Sequence, residues 1–228
     1  DDKEYTDDLR FNYIIGNPPY VGARYMNNEQ KDDLNQLFGK QKNAGNLDYV
    51  TCWVKRADDY MTKYRETRTA FVMTNSVVQG ETPANLWQPL FDNGLHIDFA
   101  WRTFKWWNEG RSKAAVHCVI VGFSKSDMIM QRYVFDECDL KDAKSKNNKL
   151  ETIKIKDKIY IRHPLHQING YLVDAPCISV MSRNKPLCDI PAIGIGNKPI
   201  DDGNYLFLDH EKDELVKIET DSEKYFKR

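Results

Sequence analysis

Four consecutive residues, Asn17-Pro18-Pro19-Tyr20, combine the groups needed to act on a planar amino nitrogen. The two prolines fix φ and remove two backbone N–H groups, so the carbonyls of Asn17 and Pro18 have no local donor to bond. With the Asn17 side-chain oxygen they offer convergent acceptors for an exocyclic amine that carries two N–H groups. Accepting both hydrogens favours a pyramidal nitrogen with a free lone pair, which is nucleophilic. The Tyr20 ring could stack on the flat heterocycle that bears the amine.

The run before this tetrapeptide predicts the element that holds it. Phe11–Ile15 is apolar and rich in β-forming residues, and Gly16 closes it, so we expect a strand that ends at the loop. Asn-Pro and Pro-Pro pairs are also ordinary turn signals, but the position directly after an apolar strand favours a functional loop. In open α/β sheets, ligands bind at the carboxyl ends of the strands.

The rest of the first 135 residues predicts alternating strands and helices, which is typical of an α/β fold. Apolar residues at helical spacing predict the helices, and short apolar runs predict the strands. The order of elements is that of half an α/β sheet that ends in an antiparallel pair. The expected elements are helices at Asn28–Phe38, Leu47–Tyr64 and Ala84–Phe91, strands at Thr69–Thr74, Leu95–Phe104 and Ala114–Phe123, and a loop at Lys105–Lys113.

Composition divides the chain after Phe135. Residues 1–135 carry the α/β pattern and the Asn-Pro-Pro-Tyr loop. Residues 136–160 are dense in Asp, Lys and Asn, which indicates a charged linker or the rim of a hairpin. Residues 161–228 are rich in Pro and Gly and show little periodicity before a charged helix at Asp209–Lys217. We therefore expect an irregular extension after the linker.

Charge and cysteine usage limit the classes of protein that fit. The 33 Lys and Arg residues nearly balance 34 Asp and Glu residues, so any nucleic-acid surface must be local. Five cysteines without a paired spacing favour a reducing cytoplasm over a disulfide framework. His163 and His166 lack the closely spaced partners of a structural zinc site, so we expect no metal. The longest apolar run, Ala114–Phe123, is shorter than the roughly 20 residues of a membrane span.

The segment Ile14–Tyr20 resembles the catalytic motif of S-adenosylmethionine-dependent amino-methyltransferases, above all the N6-adenine DNA methyltransferases. Asn46–Val50 resembles the start of the helix after the catalytic loop in that family, and Phe71–Ser76 resembles its next strand. Further segments resemble more narrowly the MmeI-type fused restriction–modification enzymes. These segments are Gln79–Glu81, Leu86–Trp87, Phe99–Phe104, Val116–Phe123, Asn169–Pro176, Ser182–Asp189 and Gly196–Asn197.

The resemblance implies a class-I methyltransferase sheet, of which this chain would hold the C-terminal half with its antiparallel terminal hairpin. It implies double-stranded DNA as the partner, S-adenosylmethionine as the cofactor and a target adenine flipped out of the duplex. Asn17, Pro18, Pro19 and Tyr20 would be the catalytic residues. The Asn17 side chain and the Pro18 carbonyl would accept hydrogen bonds from N6, Tyr20 would stack on the ring, and the nitrogen would attack the methyl group. The last stretch of the chain would lead into a target-recognition domain.

Other positions acquire roles from the same resemblance. An aromatic residue in the loop after the third strand would pack against the flipped adenine; Phe104 or Trp106 is favoured, then Trp107. Asp48 and Tyr49 would line the cofactor pocket, although Asp48 could equally serve the first turn of its helix. A basic cluster beside the aromatic loop would contact DNA, or would form an ordinary solvated face; its members are Arg102, Lys105, Arg111 and Lys113.

The parts that the resemblance places before the motif are not in this sequence. They are the glycine-rich cofactor loop and the acidic ribose-binding strand, so we expect a fragment of a longer protein that does not methylate by itself. The implied strand order leaves Phe11–Ile15 at an uncovered edge of the sheet. Such an edge invites pairing with a second copy, unless Asp1–Arg10 folds back over it.

Two alternative functions remain open at this stage. Methyltransferases that modify glutamine in proteins or N2 of guanine in RNA also use Asn-Pro-Pro-Tyr, because a planar amide or amine poses the same chemical problem. The aromatic loop at residues 104–107 and the long C-terminal extension favour DNA. The other alternative is a DNA-binding module without catalysis.

Overall fold

The chain divides into two units, residues 1–182 and residues 183–228. In the computed structural model the described residues are 10–39, 41, 43–107, 115–126, 131–138, 151–156, 158–178, 185, 188–189 and 207–226. The first unit contains the Asn-Pro-Pro-Tyr loop and a mixed sheet with helices, which confirms the expected α/β class.

Seven strands form the sheet of the first unit, and β1 lies at its edge among the described residues. The strands are β1 (Tyr13–Gly16), β2 (Arg68–Thr74), β3 (His96–Trp107), β4 (Ala115–Ser124), β5 (Arg132–Cys138), β6 (Glu151–Ile155) and β7 (Lys158–Leu165). Their order is β1-β2-β4-β3-β5-β7-β6. β1 is parallel to β2 and β3 is parallel to β5, whereas the other neighbours are antiparallel. The order of the first four strands is the one that the resemblance implied.

Helical periodicity and capping account for the helices of this unit, which are α1 (Asn28–Phe38), α2 (Thr51–Lys63) and α3 (Gln88–Asp92). A capping box starts α1, because Asn27 Oδ1 accepts from the Gln30 nitrogen at 2.8 Å and the Gln30 side chain accepts from the Asn27 nitrogen at 3.0 Å. In α2 the apolar positions at helical spacing, Val54, Ala57 and Met61, are all buried. Both helices lie within the expected ranges.

The core packs aromatic rings against the middle of the sheet. On β2 the buried residues alternate, with Phe71 and Met73 on the buried face. The Phe71 ring meets the ring of Phe123 edge-on at a centroid distance of 5.9 Å, and the Trp87 ring meets Phe123 at 5.7 Å. The Trp87 indole nitrogen donates to the Val77 carbonyl at 2.8 Å, so this large buried ring has its polar group satisfied.

The helix expected at Ala84–Phe91 is interrupted. Residues Pro83–Trp87 form a π-helical turn, and α3 begins only at Gln88. Pro89 has no N–H to donate to the Asn85 carbonyl, so the regular helical bond is missing there. The Gln41 side chain donates to that carbonyl instead. The turn expected at Asn93-Gly94 is confirmed, and Gly94 takes a φ of +81° that favours glycine.

Strand β3 runs further than expected. Lys105, Trp106 and Trp107 were expected in a loop, but they continue β3 and pair with β4, Lys105 opposite His117 and Trp106 opposite Val116. The expectation was wrong because β-forming aromatic residues extend the hairpin past the last clearly apolar position. The remainder of that loop, with Arg111 and Lys113, lies outside the described residues.

The charged segment at residues 136–160 takes part in the sheet at both of its ends. β5 extends to Cys138, and β6 and β7 form a hairpin at the far side. Aromatic stacking holds this region, since the rings of Trp101 and Phe135 lie 3.9 Å apart at 11° and Tyr160 meets Trp101 edge-on at 6.1 Å. Residues 151–155 and 158–160 therefore belong to a hairpin, which was one of the two interpretations of this segment. Residues 139–150 and 157 are not among the described residues.

The second unit contains a helix, α4 (Asp209–Ile218), followed by a 3-10 turn at Thr220–Tyr225. The expected charged helix at Asp209–Lys217 is confirmed. Glu211 accepts from the Leu208 nitrogen at 2.7 Å and so caps its start. In the part of the chain that the structure describes, no helix has the length and apolar character to cross a membrane.

Candidate active site

The Asn-Pro-Pro-Tyr loop leaves the carboxyl end of β1 and closes on itself. Pro18 is buried, Asn17 and Pro19 are exposed, and Tyr20 is half-buried. The Tyr20 hydroxyl donates to Asn17 Oδ1 at 2.7 Å. This hydrogen bond occupies one of the two acceptor positions on the Asn17 oxygen and leaves the other open. The exposed Asn17 side chain is thus held in place while it keeps the capacity to accept a hydrogen from a ligand.

A buried cysteine lies against the Tyr20 hydroxyl. Cys118 is fully buried on β4, and its thiol is close enough to Tyr20 to influence the pKa of the hydroxyl. Burial and the Cys118 thiol raise the pKa of Tyr20, outweighing the hydrogen bond to Asn17 that lowers it. Burial likewise raises the pKa of Cys118. Both groups therefore stay protonated at neutral pH, and the tyrosine remains a neutral hydrogen-bond donor.

The strand register explains how distant residues reach this loop. Cys118 pairs with Thr74 on β2 and with Phe104 on β3, so the three residues form one row across the sheet. Directly opposite residues in antiparallel strands share a face of the sheet. Tyr20 contacts the middle residue of that row, which places Thr74 and Phe104 on either side of it.

Asp48 fixes the segment that follows the catalytic tetrapeptide. Its Oδ1 accepts from the backbone nitrogens of Val21 and Val50, each at 3.1 Å, and its Oδ2 accepts from Thr74 Oγ1 at 3.3 Å. The Tyr49 nitrogen donates to the Val21 carbonyl at 3.0 Å. Both backbone polar groups of Val21 are therefore held by the residues just before α2. These bonds are consistent with a positioning role for Asp48.

Tyr49 was expected to line the cofactor pocket together with Asp48. Its hydroxyl donates to Asp33 Oδ2 at 2.6 Å, and its ring meets Trp53 edge-on at 5.0 Å. The hydrogen bond to Asp33 is the main cause that raises the pKa of Tyr49 to about 12. The contact of Asp48 and Tyr49 with a cofactor stays a prediction.

Two of the three aromatic candidates for the target base lie together. Phe104 is half-buried, Trp106 is 41% exposed, and their ring centroids lie 6.3 Å apart. Residues two apart on a strand share a face, so both rings stand on the face of the Thr74–Cys118–Phe104 row. Trp107 is the last residue of β3.

Two members of the basic cluster, Arg102 and Lys105, lie among the described residues. The Arg102 Nε atom donates to the Leu172 carbonyl at 3.0 Å, and Nη1 bonds Asp136 at 2.9 Å. Arg102 therefore already has two partners within the chain, and DNA contact by it stays a prediction. Lys105 is exposed on β3. The remaining two candidates, Arg111 and Lys113, lie outside the described residues.

Sequence reasoning missed Cys118 and Thr74 as parts of the site. Cys118 was taken as a cysteine without a chemical partner, and Thr74 as the last residue of a strand. Their position in the site depends on the register of β2, β3 and β4, and a short sequence pattern does not show that register. Ser76 was missed as well, and its hydroxyl lies 2.7 Å from Thr74 Oγ1 in the turn that follows β2. In the described part of the chain, no cluster of His, Cys, Asp and Glu could hold a metal ion.

Two family models and a curated relative match this chain. The family model described as "MmeI, DNA-methyltransferase domain" matches residues 2–136, and the model described as "MmeI, target recognition domain" matches residues 174–228. The chain is 37% identical over 219 residues to DNA methyltransferase A of Bacillus subtilis (strain 168), covering 95% of this chain and 22% of that protein.

A solved structure is similar as well. It is that of the Type IIL restriction-modification enzyme MmeI in complex with DNA, with 38% sequence identity and a TM-score of 0.75. The match covers 95% of this chain and 27% of that one. The chain thus spans about a quarter of the length of both relatives.

Proposed function

This chain belongs to the MmeI family of restriction–modification DNA methyltransferases, and we propose that it forms the acceptor side of a site that methylates N6 of a flipped adenine in double-stranded DNA. The observation that carries the proposal is the bond between the Tyr20 hydroxyl and Asn17 Oδ1 at 2.7 Å, at the carboxyl end of β1. It holds an amide oxygen in an exposed position with one acceptor site open. An amino group with two N–H donors is the natural complement of that oxygen and the Pro18 carbonyl.

The two acceptors act by holding the amino hydrogens. Hydrogen bonds from N6 to Asn17 Oδ1 and to the Pro18 carbonyl draw both hydrogens to one side of the ring. The lone pair of N6 is then localised on the opposite side of the ring, the side from which N6 attacks the methyl group. Buried Pro18 and the Asp48 bond to Val21 hold the loop rigidly, so little reorganisation is needed when the base arrives.

The methyl donor of this family is S-adenosylmethionine, which would supply the electrophilic methyl group that N6 attacks. The chemistry of the loop fits such a group, because the uncharged oxygen acceptors of Asn17 and Pro18 suit the neighbourhood of a sulfonium. Asp48 and Tyr49 are the residues of this chain that we assign to the cofactor side. Since the chain spans about a quarter of its relatives, we expect it to need the rest of the protein for methylation.

Delivery of the base requires a surface outside the loop. An adenine must leave the duplex before its N6 can reach Asn17, and aromatic rings stabilise such an extrahelical base. The half-buried ring of Phe104 and the 41% exposed ring of Trp106 support this role. Phe104 also pairs across the strands with Cys118, the residue that Tyr20 contacts. Lys105, Arg111 and Lys113 would contact the DNA strand. The five widely spaced cysteines of the sequence are consistent with the reducing cytoplasm in which such a protein would act.

The product of the reaction tests this proposal. The full-length protein that contains this chain is incubated with methyl-labelled S-adenosylmethionine and, in separate reactions, duplex DNA, RNA and a glutamine-containing peptide. Nucleoside mass spectrometry of the DNA should show N6-methyladenine, with the RNA and the peptide unlabelled. Label on RNA guanine or on glutamine, or a methylated base other than N6-methyladenine, would contradict the proposal.

A further inference from the structure

A polar groove of about 530 Å³ lies at the carboxyl end of β2 and shares Ser76 with the site described above. Amides, hydroxyls and one carboxylate dominate its lining, which includes Asn46, Ser76, Gln79, Glu81, Thr82 and Asn85. Gln79 and Glu81 are exposed at its rim. Asn85 is only 4% exposed and forms part of the buried floor of the groove.

The groove is linked to the catalytic loop by a short series of hydrogen bonds. Ser76 Oγ, in the lining, lies 2.7 Å from Thr74 Oγ1. Thr74 donates to Asp48 Oδ2 at 3.3 Å, and Asp48 Oδ1 accepts from the Val21 nitrogen. Val21 directly follows Tyr20. A ligand in the groove would therefore lie beside the loop that holds the target base.

The rim of the groove is held in a defined shape. Gly80 has a φ of +58°, a conformation that favours glycine, and Thr82 donates through its backbone to the Gln79 carbonyl at 3.2 Å. The Tyr171 hydroxyl donates to the Gly80 carbonyl at 3.4 Å. Gly170 packs so closely on Trp87 that a Cβ there would lie 3.1 Å from the Trp87 Cβ. The segment just before the target-recognition match thus supports the turn that carries Gln79 and Glu81.

The chemistry of the lining selects among the parts of a DNA molecule. No Lys or Arg side chain is among the described residues that line the groove, and the Glu81 carboxylate would repel a phosphate. Amide side chains form paired hydrogen bonds with adenine edges, and carboxylates accept from the exocyclic amino group of cytosine. The groove therefore suits the edge of a nucleobase that bears an amino group.

We propose that Gln79, Glu81 and Asn85 read the amino-bearing edge of a base next to the flipped adenine, so that this unit contributes to sequence preference. The proposal rests on the proposed function, because it assumes that DNA occupies the adjoining site. Gln79 and Glu81 would contact the base from the rim, and Asn85 would complete the contact from the floor.

The test uses the full-length protein and a set of duplexes that share one target adenine. Each neighbouring base is replaced in turn by an analogue that lacks only its exocyclic amino group, and kcat/KM for methylation is measured. The wild type should lose between about 5-fold and 150-fold at one neighbouring position, the usual range for a base contact. The variants Gln79→Ala and Glu81→Ala should methylate the analogue and the normal duplex at that position equally well.

Gln36→Ala serves as the matched control, because Gln36 is an exposed glutamine on α1 outside this groove. It should keep the wild-type preference, and thermal unfolding should show that all three variants are folded. The proposal is overturned if no neighbouring position distinguishes the wild type from the groove variants. It is also overturned if the variants lose activity uniformly over all duplexes with a smaller salt dependence, which would indicate a phosphate contact. Wild-type protein that forms no N6-methyladenine at all would instead contradict the proposed function.

Discussion

The Asp48 carboxylate accepts a hydrogen bond from the backbone nitrogen of Val21 at 3.1 Å, directly after the catalytic tetrapeptide. The other carboxylate oxygen accepts from Thr74 Oγ1 at 3.3 Å, at the end of β2. One side chain thereby connects the loop after β1 to the neighbouring strand. The placement of Asn17 depends on this connection, because β1, which carries the loop, is an edge strand and has a neighbouring strand on one side among the described residues.

Replacing this carboxylate should misplace the loop without removing any group that touches the base. We expect Asp48→Ala to lower kcat of the full-length enzyme about 100-fold, the usual cost of a displacement near 1 Å. Asp48→Asn keeps one acceptor oxygen and should recover part of that loss. Steady-state kinetics and DNA-binding titrations would measure both effects, with the exposed Asp32→Ala on α1 as the control. An unchanged kcat in Asp48→Ala would contradict the positioning role, whether or not cofactor binding is weakened.

A buried ion pair joins α2 to the end of β4. The Lys125 and Asp58 side chains are each 1% exposed, with Nζ and Oδ1 2.7 Å apart, and Lys125 also donates to Thr62 Oγ1 at 2.6 Å. Among the described residues, Lys125→Ala would leave Lys55 as the remaining ion-pair partner of the buried Asp58 carboxylate, at 3.5 Å. We expect the free energy of unfolding to fall by about 3 kcal/mol.

Chemical denaturation would measure that change, and the exposed Lys31→Ala should lie within about 0.5 kcal/mol of the wild type. A double-mutant cycle with Asp58→Ala should show coupling between the two residues. Equal stability of Lys125→Ala and the wild type would mean that the pair is solvated in solution.

Two cysteines should resist alkylation in the folded protein. Cys52 and Cys118 are 4% and 0% exposed, and burial raises the pKa of both, that of Cys52 to about 12. A raised pKa lowers the thiolate fraction at every pH below it, so reactivity should increase only as the pH approaches that value. At about pH 8, iodoacetamide should modify exposed Cys188 at least about 100-fold faster, as measured by peptide mass spectrometry. Similar rates at the three residues would contradict the described packing.

The outer edge of β1 should cause self-association of the isolated chain. Among the described residues β1 pairs only with β2, and Tyr13 and Ile15 are 67% and 79% exposed. Unpaired apolar edges promote pairing between chains, and a charged residue blocks it. We expect concentration-dependent association in analytical ultracentrifugation, abolished by Ile15→Lys but not by Ile218→Lys on α4, where the residue is 80% exposed.

A monomeric wild-type chain at all concentrations would mean that this edge is protected. The segment that could protect it, residues 1–9, lies outside the described residues. Deletion of residues 1–9 tests whether this segment protects the edge. If it does, the shortened chain should self-associate where the wild-type chain is monomeric.

Local patterns predicted the elements well, and contacts between elements poorly. The bounds of α1 could be predicted because capping and periodicity are short-range features. The position of the loop after β1 was predicted from the apolar run before it, whereas the order of the first four strands came from a resemblance carried by the motif. The contact of Cys118 with Tyr20 could not be predicted, since it depends on the register of β4. The hairpin of β6 and β7 was one of two interpretations of the charged segment, but the bounds of these strands could not be predicted, because their charged residues hide the strand pattern and the ring contacts of Trp101 with Phe135 and Tyr160 join distant residues.

The role of the Asn17 oxygen is the central claim, and single-turnover methylation of a duplex by the full-length enzyme tests it most directly. Asn17→Ala should slow methylation by about 100-fold or more, because a preorganised polar contact to the reacting group is lost. Its affinity for the duplex should stay within a few-fold of the wild type, and Asn35→Ala, an exposed asparagine on α1, should behave as the wild type. A rate within a few-fold of the wild type, or a loss of DNA binding as large as the loss of methylation, would contradict the account.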